Sequence, residues 1–346
     1  MIPYFLVLSF VTYWAILEDK ALNRKAFLIP LLTLTLFAGI RSSRVGSDSE
    51  TYVTLFNEST ITGAFVIKED IEIGYQVFEY VLSLLTNNYF WLFLITGFIV
   101  VFCYLIIIRK FSNNYWLSLF FFITLGSYTF FFNGLRQGIA IAIFTLSLPY
   151  LLNRKIIPYL MVCLLASLFH NSALAAIPFY FIVNLRIKII YKIIATLLIS
   201  LFSSSLLVKY IASTNERYEG YTKVSDEAGG LVVLSFHILL MLSMYIIMYI
   251  YKIKDKNFIK ILTFYMSGVA FIIPIALLGT DPSGPQRILN YFTWTLILLL
   301  PFILERVKNI YVNITAITLS IVYFVLTTSS FSDLTPYIIN PIFEKL

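Results

Sequence analysis

The sequence predicts an all-α, polytopic integral membrane protein, and three observations carry that prediction. Of 346 residues, 60% are hydrophobic and only 12% charged. About twelve apolar runs follow one another, several of them long enough to cross a bilayer. The runs lack the alternation of barrel strands, and a chain in lipid must pair its backbone polar groups internally, so they read as helices. The expectation is a single membrane domain over 1–346 of about 12 transmembrane helices, some short or re-entrant. An outer-side loop with an amphipathic helix at 41–89 and a second outer loop at 209–230 complete it.

In chain order, the runs fall at roughly 2–17, 26–40, 90–108, 115–132, 137–152, 156–169, 172–185, 190–208, 231–251, 258–279, 288–304 and 310–328. Residues 1–17 have no basic n-region and no small-residue cleavage site after them, so they read as a retained first span. Segment 72–86 is apolar but carries Glu72, Gln76, Glu79 and Ser83 on one helical face, which predicts an outer-side amphipathic helix rather than a span. Run 156–183 is 28 residues interrupted by His170, Asn171 and Ser172. As one helix it would be ~42 Å long against a ~30 Å hydrocarbon core, so two short legs meeting at His170 are expected.

Charge fixes the orientation. With the amino terminus outside, the loops at 18–25, 109–110, 154–155, 186–192, 252–260 and 305–308 lie inside and hold 16 of the 25 basic residues against four acids. A net charge of +7 therefore reflects membrane topology, and no nucleic-acid partner is expected. Cys103 and Cys163 lie inside apolar runs and read as small core hydrophobes. With two histidines besides, no metal site and no cofactor are expected.

The candidate chemistry sits on the outer side. Asn133-Gly134-Leu135-Arg136-Gln137-Gly138 places an arginine between two apolar runs. An arginine at that depth costs at least ~2.5 kcal/mol on insertion scales, so it is expected to face a cavity and meet a partner. Arg41, Arg44, Asp48, Glu72, His170, Arg217 and Arg287 share that side, and several guanidinium groups together suit the oxygens of a lipid-linked pyrophosphate. Arg287 shares a helical face with Asn290 and Tyr291, while Arg217 and Tyr218 lie in the 209–230 loop, where an aromatic face can stack on a sugar. Asp48, Glu72 and His170 are the outer-side candidates for a general base, and the two carboxylates are equally candidates for ion-pair partners of the arginines. His237, alone in an apolar span, reads as structural.

Four short stretches in order resemble a known family: Arg41-Ser-Ser-Arg44-Val-Gly46-Ser-Asp48, then Glu72-Ile-Gly74-Tyr75, then Leu135-Arg136-Gln137 with Ala140, then Phe169-His170-Asn171-Ser172-Ala173. They resemble the EpsG-like branch of the Wzy-type polymerases that join repeat units of bacterial O-antigens, capsules and exopolysaccharides. The pattern usually has Thr where this chain has Ser47, which keeps the hydroxyl.

The resemblance implies a metal-independent glycosyltransferase in the bacterial cytoplasmic (inner) membrane, multi-pass, with its active site facing the periplasm or cell exterior. It would transfer a glycan from undecaprenyl pyrophosphate to the non-reducing end of another lipid-linked repeat unit. Its partners would be lipid-linked donor and acceptor, membrane lipids and a chain-length regulator protein. On this reading Arg136 and Arg287 hold the pyrophosphate, Arg44 and Arg217 assist with Arg41, Tyr218, Asn290 and Tyr291 nearby, His170 acts as base or orients the acceptor, and Asp48 positions an arginine. The alternatives are a polysaccharide ligase using the same carrier and a flippase or transporter for a lipid-linked saccharide.

Overall fold

The computed structural model describes residues 1–214, 229–279, 283–330 and 332–343, apart from the side chains of 207–214 and 229. Among these residues the chain is helical with no strand, and the β-type pairing is an isolated antiparallel bridge between Arg41 and Ile339. The helices in order are α1 (Ile2–Leu22), α2 (Leu28–Gly39), α3 (Ser49–Thr62), α4 (Ile73–Leu85), α5 (Phe90–Phe111), α6 (Tyr115–Thr124), α7 (Phe130–Asn133), α8 (Leu135–Thr145) and α9 (Leu148–Leu152). They continue with α10 (Ile156–Ser167), α11 (Ile177–Asn184), α12 (Ile189–Thr214), α13 (Gly229–Ile250), α14 (Lys256–Leu277), α15 (Asn290–Thr293), α16 (Leu296–Val307) and α17 (Ile310–Ser329).

Among the described residues five helices are long and apolar enough to cross a membrane: α5, α12, α13, α14 and α17, or six if the broken pair Pro285–Thr293 and Leu296–Val307 is one span. The roughly twelve spans expected from hydropathy are not matched by that count. Helices α2, α4, α6, α8 and α10 have 12, 13, 10, 11 and 12 residues. At 1.5 Å per residue each rises only ~15–20 Å, short of a ~30 Å core. Apolar composition marks the runs, but glycine and polar breaks divide the helices.

The chain forms two compact units, one of residues 1–146, 164–171 and 300–346, the other of 147–163 and 172–299. In the first, α5 packs on α2 and α8, and α1 packs on α6. Glycine makes the first of these contacts close: a Cβ at Gly97 would lie 2.9 Å from that of Ala38, and one at Gly39 would lie 2.7 Å from Leu94. Every residue of α8 is buried.

The carboxy-terminal segment belongs to this unit and straps the loop after α2. The Ser42 amide donates to the Ile338 carbonyl (2.8 Å), the Asn340 amide to Ile40 (2.8 Å) and the Gly46 amide to Asp333 (3.0 Å). The Tyr4 hydroxyl donates to Leu334 (2.8 Å).

Helix α4 is amphipathic as expected, and its polar side turns inward. Gln76 and Glu79 are buried, while Ile73, Val77, Val81, Leu84 and Leu85 are exposed. Gln76 holds the preceding loop, accepting from the Lys68 amide (2.8 Å) and donating to the Lys68 and Ile71 carbonyls (2.8 and 2.5 Å).

In the second unit α14 is the central helix, packed by α11, α12 and α13. Gly268 lets Phe292 lie directly against it, where any Cβ would overlap the ring. His237 Nδ1 lies 3.2 Å from the Tyr265 hydroxyl, which donates to the His237 carbonyl (3.1 Å), a closed pairing between α13 and α14. The apolar run at 156–183 breaks after α10, and a 3-10 turn at Asn171–Ala176 leads into α11. The Tyr159 hydroxyl donates to the Ala176 carbonyl (2.9 Å), and the Tyr159 and Tyr180 ring centroids are 5.0 Å apart, so the second leg folds back along the first.

Candidate active site

The stretch around Arg136 is where a helix stops and restarts. Helix α7 ends at Asn133, Gly134 breaks the backbone, and α8 begins at Leu135. A Cβ at Gly138 would run into Phe131, so glycine lets the two short helices meet. Gly46, at φ +101°, lies against the Asn133 side-chain oxygen, and the Asn133 amide donates to the Ser332 carbonyl (2.9 Å). Arg136 is thereby set in the first turn of a buried helix, 7% exposed.

A carboxylate from 64 positions earlier meets it there. Arg136 Nη1 donates to Glu72 Oε2 at 2.6 Å and to the Asp70 carbonyl at 3.4 Å. The two side chains are 8% and 6% exposed. The second Glu72 oxygen, Oε1, accepts the Asn171 amide (3.1 Å).

Two helix starts are satisfied crosswise at this point. Glu72 is the residue that precedes α4, yet its side chain makes no cap bond to that helix. The Gly74 and Tyr75 amides donate instead to the Leu168 carbonyl (2.8 and 3.3 Å), which the break after α10 leaves available. Glu72 in turn takes the first amide of the 3-10 turn at Asn171. A Cβ at Gly74 would lie 2.6 Å from the Leu168 oxygen, so the crossing needs glycine. Half-buried His170 is held between these two fixed points, Leu168 and Asn171.

The remaining candidates are placed as follows. Arg41 is 0% exposed. Its guanidinium lies between the rings of Phe93 and Phe132, 3.9 and 4.3 Å from their centroids. It donates to Ser49 Oγ (2.8 Å) and to the carbonyls of Val45 (3.1 Å), Phe132 (3.2 Å) and Ala38 (3.2 Å). Arg41, expected near the pyrophosphate, is enclosed by these contacts and organises the loop that follows it. Arg44 is exposed on that loop, and half-buried Asp48 stands at the start of α3, accepting from Ser47 Oγ (3.2 Å).

In the second unit, half-buried Arg287 lies on a 3-10 turn, Pro285–Leu289, and Asn290 opens α15. Tyr291 is fully buried, and its hydroxyl accepts from Ser172 Oγ (3.1 Å). The continuous helical face expected for Arg287, Asn290 and Tyr291 is thus divided between a 3-10 turn and an α-helix. Arg217 and Tyr218 lie outside the described residues. Among the described residues no group of three or more His, Cys, Asp or Glu side chains is arranged to hold a metal ion.

Sequence reasoning missed the backbone acceptors at Asp70 and Leu168, the side chain of Asn133 and the strap at 332–340. Its one available signal was Gly74, a glycine opening an otherwise good amphipathic helix.

A scan of family models matches the EpsG family over residues 24–339, which takes in all of these site residues and almost the whole strap. No curated protein and no solved structure matches the chain.

Proposed function

The chain belongs to the EpsG family, and from that premise we propose that it polymerises lipid-linked repeat units of a bacterial surface polysaccharide at the outer face of the cytoplasmic membrane. The donor is a glycan on undecaprenyl pyrophosphate, and the acceptor is the non-reducing end of a second lipid-linked unit. An acceptor hydroxyl attacks the donor's anomeric carbon, the bond from that carbon to the pyrophosphate oxygen breaks, and the hydroxyl proton passes to a base.

The single observation that carries the reading is the linkage from Arg136 through Glu72 to Asn171, which ties the residue next to His170 to a buried guanidinium. A diphosphate brings more negative charge than one carboxylate and competes for Arg136. In a water-poor site a guanidinium already in place stabilises the departing phosphate without reorganisation. Both Glu72 oxygens are engaged, so Glu72 acts by positioning, and His170 is the base. Asp48 and exposed Arg44 sit on the loop that Arg41 organises and contribute to substrate contact. The family resemblance makes Arg287 and Arg217 further anion-binding candidates, with Asn290, Tyr291 and Tyr218 near them in sequence.

The test is incubation of purified protein with lipid-linked repeat units. The expected result is a ladder of longer glycans still on the carrier, lost in Arg136→Ala and His170→Ala. Transfer of glycan to another acceptor without elongation favours a ligase, and movement of lipid across vesicles without elongation favours a flippase. Long polymer from both variants at normal protein levels refutes the site.

A further inference from the structure

The second unit carries a cluster of cations in the loops that the charge pattern assigns to the cytosolic side. Lys192, at the start of α12, is 7% exposed, and its ammonium donates to the Val183 carbonyl near the end of α11 (2.7 Å). Lys260, from the first turns of α14, donates to the Leu152 carbonyl at the end of α9 (2.7 Å). The Asn184 amide ties the two helix ends together, donating to Leu151 (3.3 Å) and Tyr180 (3.0 Å). Arg154 lies two residues past Leu152, the carbonyl that Lys260 binds, exposed and in the left-handed region at φ +57°.

Three positive charges thus gather where two helices end. The helix ends offset part of this, at most about half a charge each and less for helices this short, which leaves roughly two charges uncompensated. No carboxylate supplies the balance: none of the ion pairs found among the described residues includes Lys192, Lys260 or Arg154. Asp255, the acidic residue nearest in sequence, is used as the cap of α14, accepting the Phe258 amide (2.7 Å).

Beside the cluster the surface is apolar. Phe181 and Leu185 around the end of α11, and Tyr191, Ile194 and Leu198 on α12, are all between 46% and 58% exposed. A charged head with hydrocarbon attached matches both features at once.

We propose that Lys192, Lys260 and Arg154 bind the phosphate of an anionic membrane phospholipid in the cytosolic leaflet, with its acyl chains along α11 and α12. Lys260 uses one N–H on a helix carbonyl and presents the others to the phosphate, Arg154 closes the site from the exposed side, and the buried Lys192 adds its charge from beneath. The site does not depend on the polymerase reading, and its test reads lipid binding alone.

The full-length protein in neutral detergent is titrated with phosphatidylglycerol, with phosphatidylcholine and with inorganic phosphate, and bound lipid is counted by native mass spectrometry. Phosphatidylglycerol is expected to be retained and phosphatidylcholine not. Each cation near a phosphate is worth about 1 kcal/mol, so Arg154→Asn, which tolerates the left-handed backbone, should lower retention about five-fold, and the R154N/K260Q pair about twenty-five-fold. Lys20→Gln, an exposed cation on the same side but in the other unit, should leave it unchanged. Equal retention of the two lipids, unchanged retention in Arg154→Asn, an equal loss in Lys20→Gln, or inorganic phosphate displacing phosphatidylglycerol at equal concentration would each overturn the proposal. If the double variant fails to fold, the single variant still decides.

Discussion

Arg136 and Glu72, 64 positions apart, form a buried ion pair 2.6 Å long, and the same carboxylate caps the 3-10 turn that follows His170. Taking two charges out of water is costly, so the pair adds little net stability, but losing one partner leaves the other uncompensated. Stability and chemistry are therefore separable at this site by mutation.

Arg136→Ala and Glu72→Ala each should destabilise the protein by about 3–5 kcal/mol, and the double variant should recover much of that loss, because no charge is then left unpaired. Polymer formation should stay absent in the double variant. Thermal unfolding in detergent, set beside the glycan ladder, checks both halves. Arg136→Lys should keep the fold and lower elongation by about 100-fold, because an ammonium lacks the planar fork that holds a diphosphate.

Gly74→Ala places a methyl group 2.6 Å from the Leu168 oxygen. The expected cost is about 1–3 kcal/mol from overpacking, with displacement of the turn at His170. Elongation should fall more than protein level does. A kcat loss at near-constant KM in the lipid-linked assay would place the damage at the base rather than at substrate binding.

Arg41→Met removes the donor to four acceptors in a fully buried setting. A loss of at least about 2 kcal/mol is expected, since buried acceptors lose a charged donor and one Ser49 hydroxyl proton cannot serve both the Val45 and Phe132 carbonyls. Arg41→Lys should share most of it, because a compact ammonium does not span the same acceptors. Truncation before Ser332 removes the other side of this loop's support and should give the same phenotype, loss of folded protein rather than a raised KM.

Glu79 gives a pH dependence. Burial pushes its carboxyl above the usual value of 4.5, against the opposing pull of the Ser59 hydrogen bond (3.2 Å) and of Lys68. A raised native value means that the protonated form suits the folded state better. The stability this group contributes is complete below pH 4.5 and is lost as pH rises through the native value. Glu79→Gln should therefore be more stable than the parent near neutrality, with the difference shrinking toward pH 4.5, as thermal unfolding across that range would show.

Hydropathy and loop charge are averages over neighbouring residues, and a single chain displays them in full. They made the helical membrane class legible, along with the break in 156–183 and the amphipathic character of 72–86. They did not show how many runs are full-length helices, because apolar composition does not register that α2, α4, α6, α8 and α10 stop after 10 to 13 residues. Glu72 was legible as a polar residue on an outer helix, equally suited to be a base or an ion-pair partner.

By itself the sequence determined that this chain lives in a membrane, which loops carry its positive charge and which arginines sit where lipid would rather not have them. Only the tertiary structure decided that Arg41 is enclosed between Phe93 and Phe132, and that Glu72 serves Arg136 and Asn171 together. The reason is physical: a residue's hydrophobicity is its own property, whereas the partner of a buried charge is set by which distant segments the packing brings within about 3 Å.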